Sequence, residues 1–192
     1  MRARTRFLSS LSILFALTAC SGLAHAAGAP PTEVGFTLVG VSVLKDSGST
    51  HETWLVSAPG GSFLGTLEPG LHATFSLGDR ASLEPQLGFT YYHEQGYSTT
   101  ILNLSMQVNV SLQSWTSSTA YLFGRGGVLV TSGGTSATQG VFGGGLGYRA
   151  PIRRHAVARW EAYYNRYPTS YDSYNPGHTN ELGIRVKLGV LF

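Results

Sequence analysis

The chain has 192 residues, enough for one domain, of which 42% are apolar, 11% aromatic and only 12% charged, about half the roughly 25% charged content of soluble domains. Its 25 glycines argue against a helical bundle, because each helix-interior glycine costs about 1 kcal/mol relative to alanine. Low charge and many aromatics exclude a disordered chain, and the single cysteine, Cys20, excludes a disulfide scaffold.

The N-terminus reads Met-Arg-Ala-Arg-Thr-Arg, followed by an apolar run from Phe7 to Ala19 and small residues ending Ala24-His25-Ala26. A basic stretch, a short apolar stretch and a small-x-small site form a secretory leader. The run is too short for a transmembrane helix, which needs about 20 residues. Residues 1–26 are therefore expected to be removed, leaving a domain over 27–192. Leu17-Thr18-Ala19-Cys20 offers an alternative, a lipoprotein box in which Cys20 would be lipidated. Cleavage after Ala26 removes Arg2, Arg4 and Arg6 and no acid, so the formal charge of +3 falls to zero. A nucleic-acid partner is thereby not expected.

Eight segments of alternating polarity follow, near 33–45, 65–78, 80–93, 97–113, 119–131, 138–150, 155–166 and 179–192. Residues 52–58 read as an extension of the first loop hairpin. The alternation is clearest between Leu102 and Gln113. One parity there is Leu102, Leu104, Met106, Val108, Val110 and Leu112; the other is Asn103, Ser105, Gln107, Asn109, Ser111 and Gln113. A strand sends such sets to opposite faces. Trp160, Ala162 and Tyr164 alternate in the same way, as do Leu182, Ile184, Val186, Leu188, Val190 and Phe192. Short connections fall near Gly78–Arg80, Ser114–Ser118 and Ile152–His155, and alternate with connections near 46–64, 94–96, 132–137 and 167–178, all of them longer except the second.

Strands this long exceed the common length of about 5–6 residues and suit a tilted membrane strand of about 9–11. Within lipid every backbone polar group must be paired internally, which a sheet achieves only by closing. The expected fold is all-β, an eight-stranded antiparallel up-and-down transmembrane β-barrel. Three features favour lipid over water outside: a polar parity mostly without charge, glycine runs at Gly124–Gly127 and Gly143–Gly147 inside strands, and aromatics near strand ends. Tyr91, Tyr92, Tyr97, Trp115, Tyr148, Tyr163, Tyr164, Tyr167 and Phe192 are expected to form interfacial girdles.

The polar parity then faces a narrow lumen, and it carries Glu68, Glu84, Arg125, Arg159, Glu161, Arg185 and Lys187. An eight-stranded barrel is just wide enough for side chains to fill it, so these groups are expected to form an internal salt-bridge and hydrogen-bond network. They could serve an ion path or a catalytic carboxylate pair; the plainer reading, a plug that holds the barrel's shape, is preferred.

The leader, the eight alternating strands and the terminal aromatic together resemble the small outer-membrane β-barrel superfamily of the OmpA and OmpX type. Gly143-Gly-Gly-Leu-Gly-Tyr-Arg149, a short turn and Ala158-Arg-Trp-Glu-Ala-Tyr-Tyr164 are similar to the glycine-rich strand, turn and next strand of that superfamily. The resemblance covers 27–192. It implies a bacterial outer-membrane location, outer-membrane lipid as surroundings, and an assembly signal for the outer-membrane machinery at Leu188, Val190 and Phe192. It implies structural, adhesive or host-interacting roles, with no peptidoglycan-binding domain after Phe192.

Other chemistry is weakly signalled. His51, His72, His93, His155 and His178 lack metal-ligand spacing, so no metal or cofactor is expected. Lipid A deacylases are also eight-stranded barrels, with a His–Ser–Glu set near the C-terminus. Here His178 is followed by Thr179 and Asn180, so the nucleophile is missing. The glycine runs lack the Gly-Lys-Ser/Thr of a phosphate loop. Residues 167–178, rich in Tyr, Ser and Asn, suit an extracellular ligand or a solvated turn. The first expectation is thus a non-enzymatic barrel with a structural or surface-interaction role. The alternatives are a lipid-modifying membrane enzyme using Glu84, Glu161 and His178, and a soluble lipocalin-like barrel with the apolar parity inside.

Overall fold

The computed structural model describes residues 33–47, 52–58, 61–63, 70–94, 97–133, 137–168 and 178–192. The expected leader, Cys20, Glu68 and residues 169–177 of the last loop lie outside the described residues. Among the described residues there are ten strands: β1 Glu33–Asp46, β2 Glu52–Ala58, β3 Gly61–Phe63, β4 Leu71–Ser76, β5 Ala81–Glu94, β6 Tyr97–Ser111, β7 Thr119–Ser132, β8 Ala137–Arg153, β9 Ala156–Tyr167 and β10 Thr179–Leu191. The described residues contain no helix.

Each strand from β4 to β10 pairs with the next, and β1 closes the ring by pairing with both β4 and β10. Eight strands make the cylinder, so β1, β4, β5, β6, β7, β8, β9 and β10 have no lone sheet edge along their shared ladders. The edge of β1 that meets β4 is divided. Its first residues pair with β4, from Glu33↔Thr74 to Phe36↔Leu71, and its last with β2, from Gly40↔Ser57 to Lys45↔Glu52. Residues 52–58 thus extend the first hairpin, and β2 turns back into β3. The strand expected over 65–78 is described only as Leu71–Ser76. The β4–β5 ladder skips the pairs opposite Glu84 and Pro85, and Pro85 has no N–H to donate there.

Two irregularities re-aim side chains. A bulge between Thr37 and Val39 adds Leu38 and shifts the inward parity of β1 from Glu33, Gly35 and Thr37 to Gly40, Ser42 and Leu44. A second, between Pro151 and Arg153, leaves Ile152 exposed. At the end of the barrel holding Glu33 and Leu191, the β4–β5 turn contains Gly78 at φ 130°, a conformation that L side chains avoid.

The polarity is inside-out relative to a soluble protein. Phe89 (68% exposed), Leu182 (65%) and Val108 (44%) lie on the outer wall, and Leu104, Val186 and Leu188 share its parity, half-buried between neighbours. Ser82, Glu84, Gln107, Asn109, Arg159 and Asn165 are fully buried inside. Glycines make room for large inward residues. A Cβ on Gly147 would lie 2.1 Å from Tyr121 Cζ, and one on Gly145 2.8 Å from Phe123 Cζ, so the glycine-rich β8 forms the seat on which the β7 aromatics lie.

The girdle expectation needs correcting. Tyr91, Tyr148, Tyr164 and Phe192 are exposed on the outer wall, but Trp115, Tyr163 and Tyr167 are buried in the lumen. Tyr163 and Tyr164 are consecutive in β9, so one must face in. Trp115 sits in the β6–β7 turn, which folds under the barrel: its N–H donates to Asp79 C=O at 2.8 Å.

Candidate functional site

The lumen of the half nearest Glu33 and Leu191 holds a chain of alternating charges contributed by five strands. Arg149 on β8 lies 3.5 Å from Glu33 on β1, and Glu33 lies 2.7 Å from Arg159 on β9. Arg159 reaches Glu84 on β5 at 2.5 Å, and Glu84 holds Lys187 on β10 at 2.7 Å. Lys187 lies 3.0 Å from Glu161 on β9, and Glu161 holds Arg185 on β10 at 2.5 Å. Each is at most 2% exposed.

Register explains the order. Lys187 is the cross-strand partner of Arg159 and Arg185 of Glu161, so each β9–β10 pair shares one face and one height. Arg149 and Arg159 are also direct partners, a like-charge pairing that costs energy alone. Glu33 offsets it by reaching both. Neutral donors reach Glu84 and Glu161 as well. Glu84 accepts from Gln86 at 2.6 Å and Thr74 at 3.2 Å, and Glu161 accepts from Tyr121 Oη at 2.6 Å and Gln107 at 3.1 Å. Burying a charge is tolerable when it is paired and hydrogen-bonded in this way.

Trp115 closes the end of this chain. The guanidinium carbons of Arg149 and Arg159 lie 5.4 and 5.8 Å from its ring centroid, within cation–π range. His72 Nε2 lies 3.4 Å from Glu33 Oε1. Towards the other end, Arg185 stands over the rings of Tyr163 and Phe123 at 5.0 and 5.7 Å, and Arg125 over Tyr163 at 5.8 Å. Glu181 accepts from Asn165 and Tyr167, both at 2.8 Å, and from Tyr163 at 3.2 Å. Beyond it the lumen becomes apolar: Leu44, Leu55, Ile101, Leu129 and Val141 cluster with the Tyr167 ring.

Of the residues picked from sequence, Glu84, Arg159, Glu161, Arg185 and Lys187 stand in one connected chain, and Arg125 stands beside Tyr163. Glu33, Arg149, Glu181, His72 and Tyr121 were missed. Arg149 shares the parity of Gly143, Gly145 and Gly147, and Glu181 that of Arg185 and Lys187, so parity alone could have found both. His178 is not near Glu84 or Glu161 by register: it lies at the opposite rim, where its N–H donates to Ser47 Oγ at 3.2 Å. Among the described residues no three His, Cys, Asp or Glu side chains gather as metal ligands. Phe192, Val190 and Leu188 line the outer wall, and Val190 pairs with Val34 on β1.

No protein-family model matches the chain, and no curated protein matches it. Solved structures do. Neisserial surface protein A (NspA) is 11% identical, with 83% of this chain covering 96% of that one at a TM-score of 0.56. The outer membrane protein OprG from Pseudomonas aeruginosa is 13% identical over 83% of this chain and 94% of its own, at 0.43. Ail, the attachment invasion locus protein of Yersinia pestis, is 13% identical over 85% of this chain and 100% of its own, at 0.42. The ring of eight paired strands and the likeness to NspA together establish the fold: a closed, antiparallel, eight-stranded β-barrel.

Proposed function

We propose that the protein is a non-enzymatic outer-membrane barrel with a sealed lumen, serving as a structural or surface-interaction element. The observation that carries this reading is the inverted polarity: large apolar side chains stand exposed on the wall while seven charged side chains pair inside. In water such a wall would expose an apolar area far larger than monomers tolerate; in lipid it is the side that needs no partner. A lipocalin-like barrel would require the reverse arrangement.

The leader through Ala26 would direct export, and the β10 face bearing Leu188, Val190 and Phe192 would be read by the assembly machinery. The loops would present the contact surface to an extracellular ligand. Glu84 and Glu161 are each held by cations and neutral donors at once, which suits a structural plug rather than a general base. The test has three arms. The protein should require detergent for extraction and run faster on gels unheated than heated. In planar bilayers it should give no stable conductance. Lipid composition should be unchanged in Glu84→Gln and Glu161→Gln cells. Steady channels, or altered lipids in the wild type that the variants abolish, would overturn the sealed, non-enzymatic reading.

A further inference from the structure

The buried chain of charges does not balance among the described residues. From Arg149 to Arg185 it holds four cations and three carboxylates, and Arg125 and Glu181 farther along add one of each sign. The surplus lies at Arg149. Arg159 and Lys187 each touch two carboxylates within 3.0 Å, and Arg185 touches Glu161 at 2.5 Å. Arg149 reaches only Glu33, and at 3.5 Å from Nε to Oε2 neither atom makes a hydrogen bond. Its Nη1, on the other edge of the guanidinium, has no hydrogen-bond partner either. The Trp115 ring centroid is 5.4 Å from the Arg149 guanidinium carbon and 5.8 Å from that of Arg159. Trp115 Nε1 and Arg159 Nε are likewise buried without an acceptor, whereas the backbone N–H of Trp115 donates to Asp79. Arg149 and Trp115 are nearly closed off, at 2% and 3% exposed.

We propose that Arg149 and Trp115 hold one small monovalent anion, a halide such as chloride, at the Glu33 end of the lumen. Three requirements select it. The ligand must accept, because guanidinium and indole N–H groups can only donate. It must be negative, because a surplus cation in a low-dielectric interior is costly unless paired; water would satisfy the N–H groups and leave the charge. It must be compact, because the Trp115 ring and the β6–β7 turn cover the place. Since Nε faces Glu33, Nη1 offers its N–H groups on the side away from that carboxylate, and contacts between a cation and an anion are the strong kind. The ion becomes the eighth member of the chain and completes its alternation of sign. The site does not depend on whether the outer wall meets lipid.

The experiment uses the full barrel in detergent micelles, with sodium chloride exchanged for sodium gluconate at constant ionic strength. Chloride should raise the urea midpoint along a saturable curve, since a ligand that binds only the folded state stabilises it by mass action. It should also show a broadened chlorine magnetic resonance line in the presence of the protein. Arg149→Met, which removes the surplus cation, should lose both responses. Trp115→Phe, which keeps a ring and loses the N–H, should weaken chloride about tenfold. Arg153→Gln/Arg154→Gln, exposed on the β8–β9 turn at the same end, should respond as the wild type does. Equal midpoints in chloride and gluconate with no line broadening would overturn the proposal. So would a chloride response that survives in Arg149→Met or vanishes in the Arg153/Arg154 variant. If Arg149→Met does not fold, Trp115→Phe and the wild-type comparison of the two salts decide.

Discussion

The two halves of the lumen solve one problem in opposite ways. Near Glu33 and Leu191 the interior is ionic: Glu84 and Arg159 are fully buried and survive because each cation touches a carboxylate. Towards the loops, past Glu181, the interior is an apolar cluster around Leu129 and Val141. The ionic half depends on stoichiometry, since removing one partner strands another charge. The apolar half depends on volume. Side chains fill a narrow barrel and leave little room for water to correct either fault.

The largest effect is expected from Glu84→Leu, which deprives Arg159 and Lys187 of their shared carboxylate. Breaking a buried pair costs about 3–5 kcal/mol, readable as a lowered urea midpoint for the barrel in micelles. Leu129→Ala should cost about 2–4 kcal/mol in the same assay through the cavity it leaves. Glu84 and Leu129 belong to different tiers, so the double variant should equal the sum within about 0.5 kcal/mol; a larger coupling would show that the halves act as one core. Gly147→Ala drives a methyl into the Tyr121 ring and should cost about 1–3 kcal/mol, partly recovered by adding Tyr121→Leu. Glu52→Gln, at the exposed Lys45 pair, should change stability by less than about 1 kcal/mol.

The strands were legible because a wall between two unlike media imposes strict alternation. The segments drawn at 80–93, 119–131 and 179–192 fall on β5, β7 and β10 with small changes at their ends. What alternation could not carry was any place where the count breaks. Leu38 at the bulge reverses the parity of β1, so Glu33 and Leu44 both face in although they are eleven residues apart. Trp115 lies in a turn, where period two says nothing, and its inward fold depends on a backbone bond to Asp79. The apolar tier was hidden for another reason. Leu129 shares its parity with Arg125 and Gly127, and composition gives no warning that a polar face changes character partway along. The charge chain was half visible: parity placed the ions inside, but their order depends on register across β1, β5, β8, β9 and β10.

The closing ladder joins the first described strand to the last, with Glu33 opposite Leu191. Contacts of that sequence separation carry the highest entropic toll of any in the molecule and reward the chain only once nearly all of it has been threaded. Until then both outermost strands present bare amides and carbonyls, which hydrocarbon does not tolerate. Closure must therefore be concerted, the raw margins meeting as the last strand docks.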